Sequence, residues 1–400
     1  MSDEPIVLVT TPHLDLPGGV GHYYATLRPY LSANTKYMVY GVPCPSKSND
    51  ATRGVQLLVD YWRFVREVTR SRCSVVHLNP SLVYRSWVRD GVFLLIAKIL
   101  RRRVIVFFRG WDCQLQARIE RYLLPLFRNT FLRADTIIVL GHDFKRFLEQ
   151  VGYVRPIIVE TTTVDDRAFT VARRQSKSGQ FNILYLARLE REKGIYETID
   201  AYRIIKSSHQ CATLTIAGDG SESRPVREYV NALHDSDINL LGFVTGVEKE
   251  GAFLAADVYC LASWSEGLPN SVLEAMAYGL PIVTRPVGGI KDFFEQGRMG
   301  FLAEDRDPAT FAEYFALLLR NPELRREIGA YNRRFARERF PASKVAGRLE
   351  TIYGVVNCSD HDAWTSSGPT RLGTDGCRDD ASLSSKPTPE SDPAVDASRL

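Results

Sequence analysis

Residues 262–289 read A-S-W-S-E-G-L-P-N-S-V-L-E-A-M-A-Y-G-L-P-I-V-T-R-P-V-G-G. Gly267 and Pro269 break the apolar run at 259–262, and Asn270 or Ser271 is placed to cap a helix that follows. Gly279 ends that helix and Pro281 keeps it from resuming. The apolar residues 282–284 then read as a short buried strand, so the unit is strand, turn, helix, strand. The helix start in such a unit offers free backbone N–H groups to an anion. Two carboxylates stand out, Glu266 in the turn and Glu274 in the first helical turn. Taken singly each has a plain reading: Glu266 as a solvated loop residue, and Glu274 as the far end of a capping box begun by Ser271.

The rest of the chain extends this pattern in both directions. Residues 181–186 form a strand candidate, 188–194 a turn, and 195–205 a helix. Strands at 214–217 and 240–244 follow, the first closing on Gly218-Asp219-Gly220. Toward the N-terminus, the β-branched run at 6–9 leads through Pro17-Gly18-Gly19-Val20-Gly21 into a helical pattern marked by Tyr24, Leu27 and Leu31. Strand, glycine turn, helix is the opening of a nucleotide-binding α/β domain. Further strands at 75–78, 104–108 and 136–140 alternate with helical stretches, which indicates a parallel sheet covered on both faces. The expected fold is therefore α/β, two doubly wound Rossmann-like domains facing across a cleft.

Length agrees, since 400 residues at a prior of about 150 per domain give two domains and a remainder. Hydrophobicity drops at 173–179, where a linker is expected. The expected divisions are 1–172, 180–340, a helix at 341–357, and a Ser-, Asp- and Pro-rich disordered tail at 358–400 that has too little apolar surface to fold. With 44% hydrophobic and 24% charged residues the composition is that of an ordinary soluble protein. No apolar run approaches the roughly 20 residues needed to span a bilayer. The acidic start at Asp3 and Glu4 is unlike an export leader. Seven cysteines, an odd number without a C-x-x-C pair, read as reduced thiols of a cytosolic protein.

The net charge of +4 is concentrated in the first 170 residues. Two basic amphipathic stretches, 86–103 with the run Arg101-Arg102-Arg103 and 118–133, read either as surface helices packed on the sheet or as faces that meet anionic lipid.

The string E-G-L-P-N-x-x-L-E-A-M-A-x-G-x-P closely resembles the signature of the group 1 retaining glycosyltransferases, family four of the GT-B enzymes. The resemblance implies that Glu266 faces the sugar of a nucleotide-sugar donor and that Glu274 grips the ribose hydroxyls. It places Gly267 and Leu268 near the diphosphate and Gly18 and Gly19 in a turn closing over it. Gly218 and Val244 join the donor contacts by the same resemblance. R-L-x-x-x-K-G at 188–194 resembles the family's diphosphate clamp, with Arg188 and Lys193 as its cations. Departure of a nucleotide diphosphate leaves negative charge on the β-phosphate, which fixed cations stabilise. The helix at 341–357 is expected to cross back to the first domain.

One departure from the family concerns F-F-R-G-W-D at 107–112, where a His-Gly pair is usual. Arg109 stands in for that His and brings a permanent cation. Its readings are contact with an anionic sugar, an anionic acceptor or the phosphates, or an ion pair with Asp112. His13, His22, His77 and His142 are spare candidates with structural readings. The implied partners are a UDP- or GDP-linked sugar donor and a glycan or lipid-linked acceptor in surface polysaccharide biosynthesis, with peripheral contact to an anionic membrane and no nucleic acid. No cofactor or metal is implied, since the D-x-D at 235–237 lies in a polar loop. The catalytic candidates are thus Glu266, Arg188, Lys193 and Arg109. The competing reading is a non-catalytic nucleotide-sugar-binding module on the same fold. A nicotinamide-dependent dehydrogenase lacks its G-x-G-x-x-G.

Overall fold

The computed structural model describes residues 5–14, 18–41, 50–171 and 179–358. The linker expected at 173–179 and the tail expected from 358 lie outside the described residues, apart from Gly179 and Cys358.

The first half of the chain contributes β1 (Val7–Pro12), β2 (Thr35–Tyr40), β3 (Val75–Leu78), β4 (Ser81–Leu82), β5 (Arg103–Phe107), β6 (Gly110–Trp111), β7 (Thr136–Val139) and β8 (Ile157–Val159). Six of these form a sheet in the order β2-β1-β3-β5-β7-β8, every pair parallel. The short strands β4 and β6 pair with each other just past the ends of β3 and β5. The second half adds β9 (Phe181–Leu186), β10 (Ala212–Ala217), β11 (Ile238–Gly242), β12 (Val258–Leu261), β13 (Ile282–Thr284) and β14 (Gly300–Leu302). Its sheet, also parallel, runs β11-β10-β9-β12-β13-β14.

Strands covered by helices on both faces read as continuous apolar runs. V-V-H-L in β3, T-I-I-V in β7 and V-Y-C-L in β12 are buried at every position. The strands absent from the sequence reading are the two-residue pair β4 and β6 and, within the two large sheets, β2, β8 and β14. The last three are sheet edges: Lys36 and Tyr37 dilute the apolar signal of β2, and β8 and β14 are only three residues long.

Two passages join the halves, and they run side by side. Val164 donates its N–H to Phe340 O at 2.9 Å, and Ala342 N–H donates to Val164 O at 2.9 Å. The final helix, Ala342–Cys358, then packs on the helix Gly19–Leu27 and on β3 of the first sheet. Arg348 on this helix grips the buried Glu160 carboxylate through Nε and Nη2 at 2.8–3.0 Å. The Tyr353 hydroxyl lies 2.8 Å from His77 Nδ1. Burial, with the Arg109 charge adding to it, pushes the His77 imidazole down to about 3, so the ring is neutral in the core.

The two basic stretches take different forms. Within Tyr84–Ile99, Arg89 turns inward onto the Tyr40 ring and pairs with Asp90 at 2.6 Å, while Lys98 pairs with Asp135 at 2.6 Å. Residues 118–133 are not one helix. A π-helical turn at Ile119–Leu123 precedes Pro125, whose missing N–H interrupts the ladder, and a separate helix Leu124–Asn129 follows. No helix among the described residues is long and apolar enough to cross a membrane.

Candidate active site

In open parallel sheets ligands settle outside the carboxyl ends of the strands where the strand order reverses. Here that point lies between β9 and β12 in the second sheet and between β1 and β3 in the first.

At the second-sheet point, the loop leaving β9 is pressed onto the end of β12. Gly194 has φ +72°, and a Cβ there would fall 2.2 Å from Ala262 O, so only glycine allows the approach. Trp264 N–H and the Ser263 hydroxyl both donate to Glu192 O, at 2.8 and 3.2 Å. This stitching brings Lys193 Nζ to 2.9 Å from Glu266 Oε1, with the two side chains only 11% and 14% exposed. Lys193 Nζ also donates to Ser265 O at 3.3 Å. Arg188 does not join them. It pairs with Glu190 at 2.6 Å, and its side chain is 61% exposed.

The helix carrying the second carboxylate spans Asn270–Ala277, and Glu274 lies past its first turn. No side chain caps this helix. Ser271 Oγ instead sits 2.6 Å from the Tyr259 hydroxyl of β12. The capping box is therefore absent, and the Glu274 carboxylate is spent elsewhere. Its Oε1 accepts from Lys249 Nζ at 2.7 Å and from His22 Nε2 at 3.1 Å. Burial alone would push this carboxyl up, but the Lys249 cation and the His22 hydrogen bond hold it down at about 2. Glu274 is thus ionised throughout the ordinary pH range.

His22 arrives from the first domain. Gly18, with φ +158°, opens the helix Gly19–Leu27, and its carbonyl accepts from His22 N–H at 3.0 Å. Among the described residues, nothing beyond their chain neighbours lies within 4 Å of where a Cβ would stand on Gly18 or Gly19. Opposite, Gly267 and the V-G-G turn after β13 meet the ends of β5 and β7. A Cβ on Gly267 would stand 3.0 Å from both Arg109 O and Leu140 Cδ1, and one on Gly289 only 1.9 Å from Leu140 O. Gly289 N–H donates to Gly267 O at 2.7 Å, and Ser265 Oγ donates to Trp111 O at 3.2 Å across the cleft.

The remaining candidates fall on the same rim. Gly218, at φ +148°, ends β10 where a Cβ would lie 1.9 Å from Ala187 O. Val244 is half-buried just beyond β11, and Leu268 is buried. Arg109 stacks on the ring of Tyr23 at 3.7 Å and that of Phe107 at 4.3 Å, rather than pairing with Asp112. Asp112 caps the helix Cys113–Arg118 instead. Among the described residues, Arg109 Nη1 is buried without a hydrogen-bond partner, as is the Tyr23 hydroxyl beside it. Asp235 accepts from Tyr202, and Asp237 pairs with Lys206, so both acids of the D-x-D have structural work.

Two residues at the site escaped the sequence reading. Lys249 carries no local motif beyond its place shortly after a strand end. His22 stood only as one of several spare histidines, although its position four residues past a glycine turn was the available signal.

Two parallel Rossmann-like sheets, facing each other by their carboxyl ends and clasped by a returning C-terminal helix, are the architecture of the GT-B glycosyltransferases. Residues 166–335 match the family described as Glycosyl transferases group 1. It is 26% identical over 250 residues, 60% of each chain, to the putative colanic acid biosynthesis glycosyltransferase WcaL of Salmonella typhimurium. It is 29% identical over 382 residues to spore coat protein SA of Bacillus subtilis, covering 87% of this chain and 98% of that one. The chain spans about three fifths of the length of the first curated relatives it matches. Among solved structures, Anabaena Alr3699/HepE in complex with UDP and glucose superposes with a TM-score of 0.67 at 17% identity, over 87% of this chain and 99% of that one.

Proposed function

We propose that this protein transfers a sugar, with retention of anomeric configuration, from a nucleotide-diphosphate-sugar donor to a glycan or lipid-linked acceptor in surface polysaccharide biosynthesis. The observation that carries the reading is the contact between Lys193 and Glu266 where the second sheet's order reverses, with Glu274 held ionised beside the opposite domain. The name of WcaL supports a polysaccharide product, and the HepE complex with UDP and glucose supports a nucleotide-sugar donor, UDP- or GDP-linked.

In this reading Glu274 exchanges its hydrogen bond from His22 for those of the ribose hydroxyls. Gly267 and Leu268, at the start of the helix Asn270–Ala277, lie against the diphosphate, with Gly18 and Gly19 closing over it and Gly218 and Val244 on the nucleotide side. The bond between the anomeric carbon and the β-phosphate oxygen breaks as the acceptor hydroxyl oxygen bonds to that carbon on the same face. The hydroxyl proton passes to the departing phosphate oxygen. Lys193, with Arg188 swinging in from Glu190, offsets the charge that develops there. Glu266 orients the sugar hydroxyls, and Arg109 supplies a donor toward an anionic group of substrate. The acceptor enters from the first domain, at the cytoplasmic face of a membrane.

The test is a panel of UDP- and GDP-sugars, followed for donor consumption and for the anomeric configuration of the product by NMR. One donor should be consumed with retention, and Glu266→Gln should lower kcat about 100-fold while nucleotide diphosphate still binds, as expected for an interaction made chiefly in the transition state. Binding of a nucleotide sugar with no turnover under any acceptor would instead assign a non-catalytic binding module.

A further inference from the structure

The helix Asp50–Arg70 has two apolar faces, and only one has a partner among the described residues. Its inner face is fully engaged. Phe64 and Val68 are buried, Phe64 and Tyr61 meet the ring of Phe93 at 4.5 and 5.4 Å, and Asp60 accepts from Gly41 N–H and Gln56 Nε2, each at 2.8 Å. Its outer face carries Val55, Leu58, Val59, Trp62 and Val65, a spacing of i, i+3, i+4, i+7 and i+10 that lines one side of a helix. All five are exposed, Leu58 at 69% and Trp62 at 62%. A stripe of this kind in water marks a contact surface.

Charge identifies the occupant. Arg63, Arg66 and Arg70 are exposed along one flank of the stripe, and the acids between Thr52 and Arg70 are the buried Asp60 and the half-buried Glu67. The Arg66 guanidinium lies over the Trp62 ring at 5.4 Å. A second copy of the chain fits poorly, because an isologous pair sets the same patch against itself and brings three exposed arginines to three, with one half-buried carboxylate, Glu67, on each side. An anionic bilayer fits both components, with the apolar side chains entering the acyl boundary and the arginines meeting the headgroups. The stretches 86–103 and 118–133 are weaker surfaces, since Arg89 and Lys98 are taken up by Asp90 and Asp135 and the second stretch is broken at Pro125.

We infer that the outer face of the helix Asp50–Arg70 docks this protein on anionic membrane, with Leu58 and Trp62 inserted and Arg63, Arg66 and Arg70 on the headgroups. The inference is independent of the sugar-transfer reading, so its test uses no substrate. The full chain is sedimented with vesicles of phosphatidylcholine alone and of mixed phosphatidylcholine and phosphatidylglycerol. It should partition onto the mixed vesicles, and each of Arg63→Gln, Arg66→Gln and Arg70→Gln should weaken that partition about fivefold at low salt. Leu58→Glu with Trp62→Glu should abolish it without lowering the melting temperature. Trp62→Phe, which keeps the apolar face and the fold, should still bind but lose the vesicle-induced blue shift of tryptophan emission. Equal recovery on both vesicle types, or a blue shift that survives Trp62→Phe, would overturn the inference. So would a concentration-dependent dimer that Leu58→Glu with Trp62→Glu dissociates, which would give this face to a second copy.

Discussion

His22 Nε2 and Glu274 Oε1 lie 3.1 Å apart although 252 residues separate them in the chain, and the contact joins the glycine-turn helix of one domain to the signature helix of the other. If ribose hydroxyls are to reach Glu274, this hydrogen bond is the one they replace, because Lys249 approaches from the carboxylate's own domain. A half-exposed hydrogen bond to a charged group is worth about 1 kcal/mol, so His22→Ala should tighten nucleotide diphosphate binding by up to about fivefold. Calorimetry reads the change directly. Weaker binding would mean that His22 itself touches the nucleotide.

Glu274→Ala removes the acceptor of two charge-assisted hydrogen bonds, at roughly 1.5 kcal/mol each, and should raise the Kd for nucleotide diphosphate about 100-fold. Ground state and transition state lose the contact alike, so KM for the donor should rise with little change in kcat. An unchanged affinity would remove Glu274 from the donor site.

The same carboxylate makes stability depend on acid. Its folded-state pKa of about 2 lies below the ordinary value of 4.5. The stabilisation is therefore complete above about pH 4.5 and disappears as pH falls through about 2. The shift corresponds to on the order of 3 kcal/mol. Lys249→Met should flatten this part of the stability profile, measured by urea unfolding between pH 5 and pH 2. A profile identical to that of the parent would show that the Lys249 cation does not hold the carboxyl down.

Arg109 offers a planar guanidinium wedged between two rings, a geometry an ammonium cannot reproduce. Arg109→Lys should cut kcat/KM at least tenfold while the melting temperature changes little. Full activity in the lysine variant would mean that only the charge matters.

Glycine substitutions separate close approach from open space. A Cβ at Gly288, where φ is +53°, would fall 2.2 Å from Gly267 O, and Gly288→Ala should destabilise by about 2 kcal/mol or more. On the final helix, nothing lies within 4 Å of a Cβ at Gly347. Gly347→Ala should therefore raise stability by about 0.5–1 kcal/mol. Chemical denaturation of both variants checks the pair.

What the sequence disclosed follows from how local each feature is. Glu266 and Glu274 share one strand-turn-helix unit, and Lys193 sits in the turn of another, so each lay within a short string whose resemblance to a family signature marked it. Lys249 and His22 reach Glu274 only through tertiary packing, from separate elements without a shared pattern. The central strands were legible because both faces are buried, whereas polar residues interrupt β2 and the three-residue strands β8 and β14 are too short to show a pattern. The helix Asp50–Arg70 carries apolar residues on two sides with charged residues between them, so the division between core and contact surface shows only in their exposure.

Because the last helix, Ala342–Cys358, completes the first sheet's packing, the first domain is discontinuous in sequence. A truncation ending anywhere in the second domain strips the Glu160 carboxylate of Arg348 and His77 of the Tyr353 hydroxyl, and bares the surface under Leu349 and Ile352. The second domain, by contrast, is an uninterrupted insert. It is the half that lends itself to exchange between related chains, provided both cuts are made where Val164 and Pro341 run side by side.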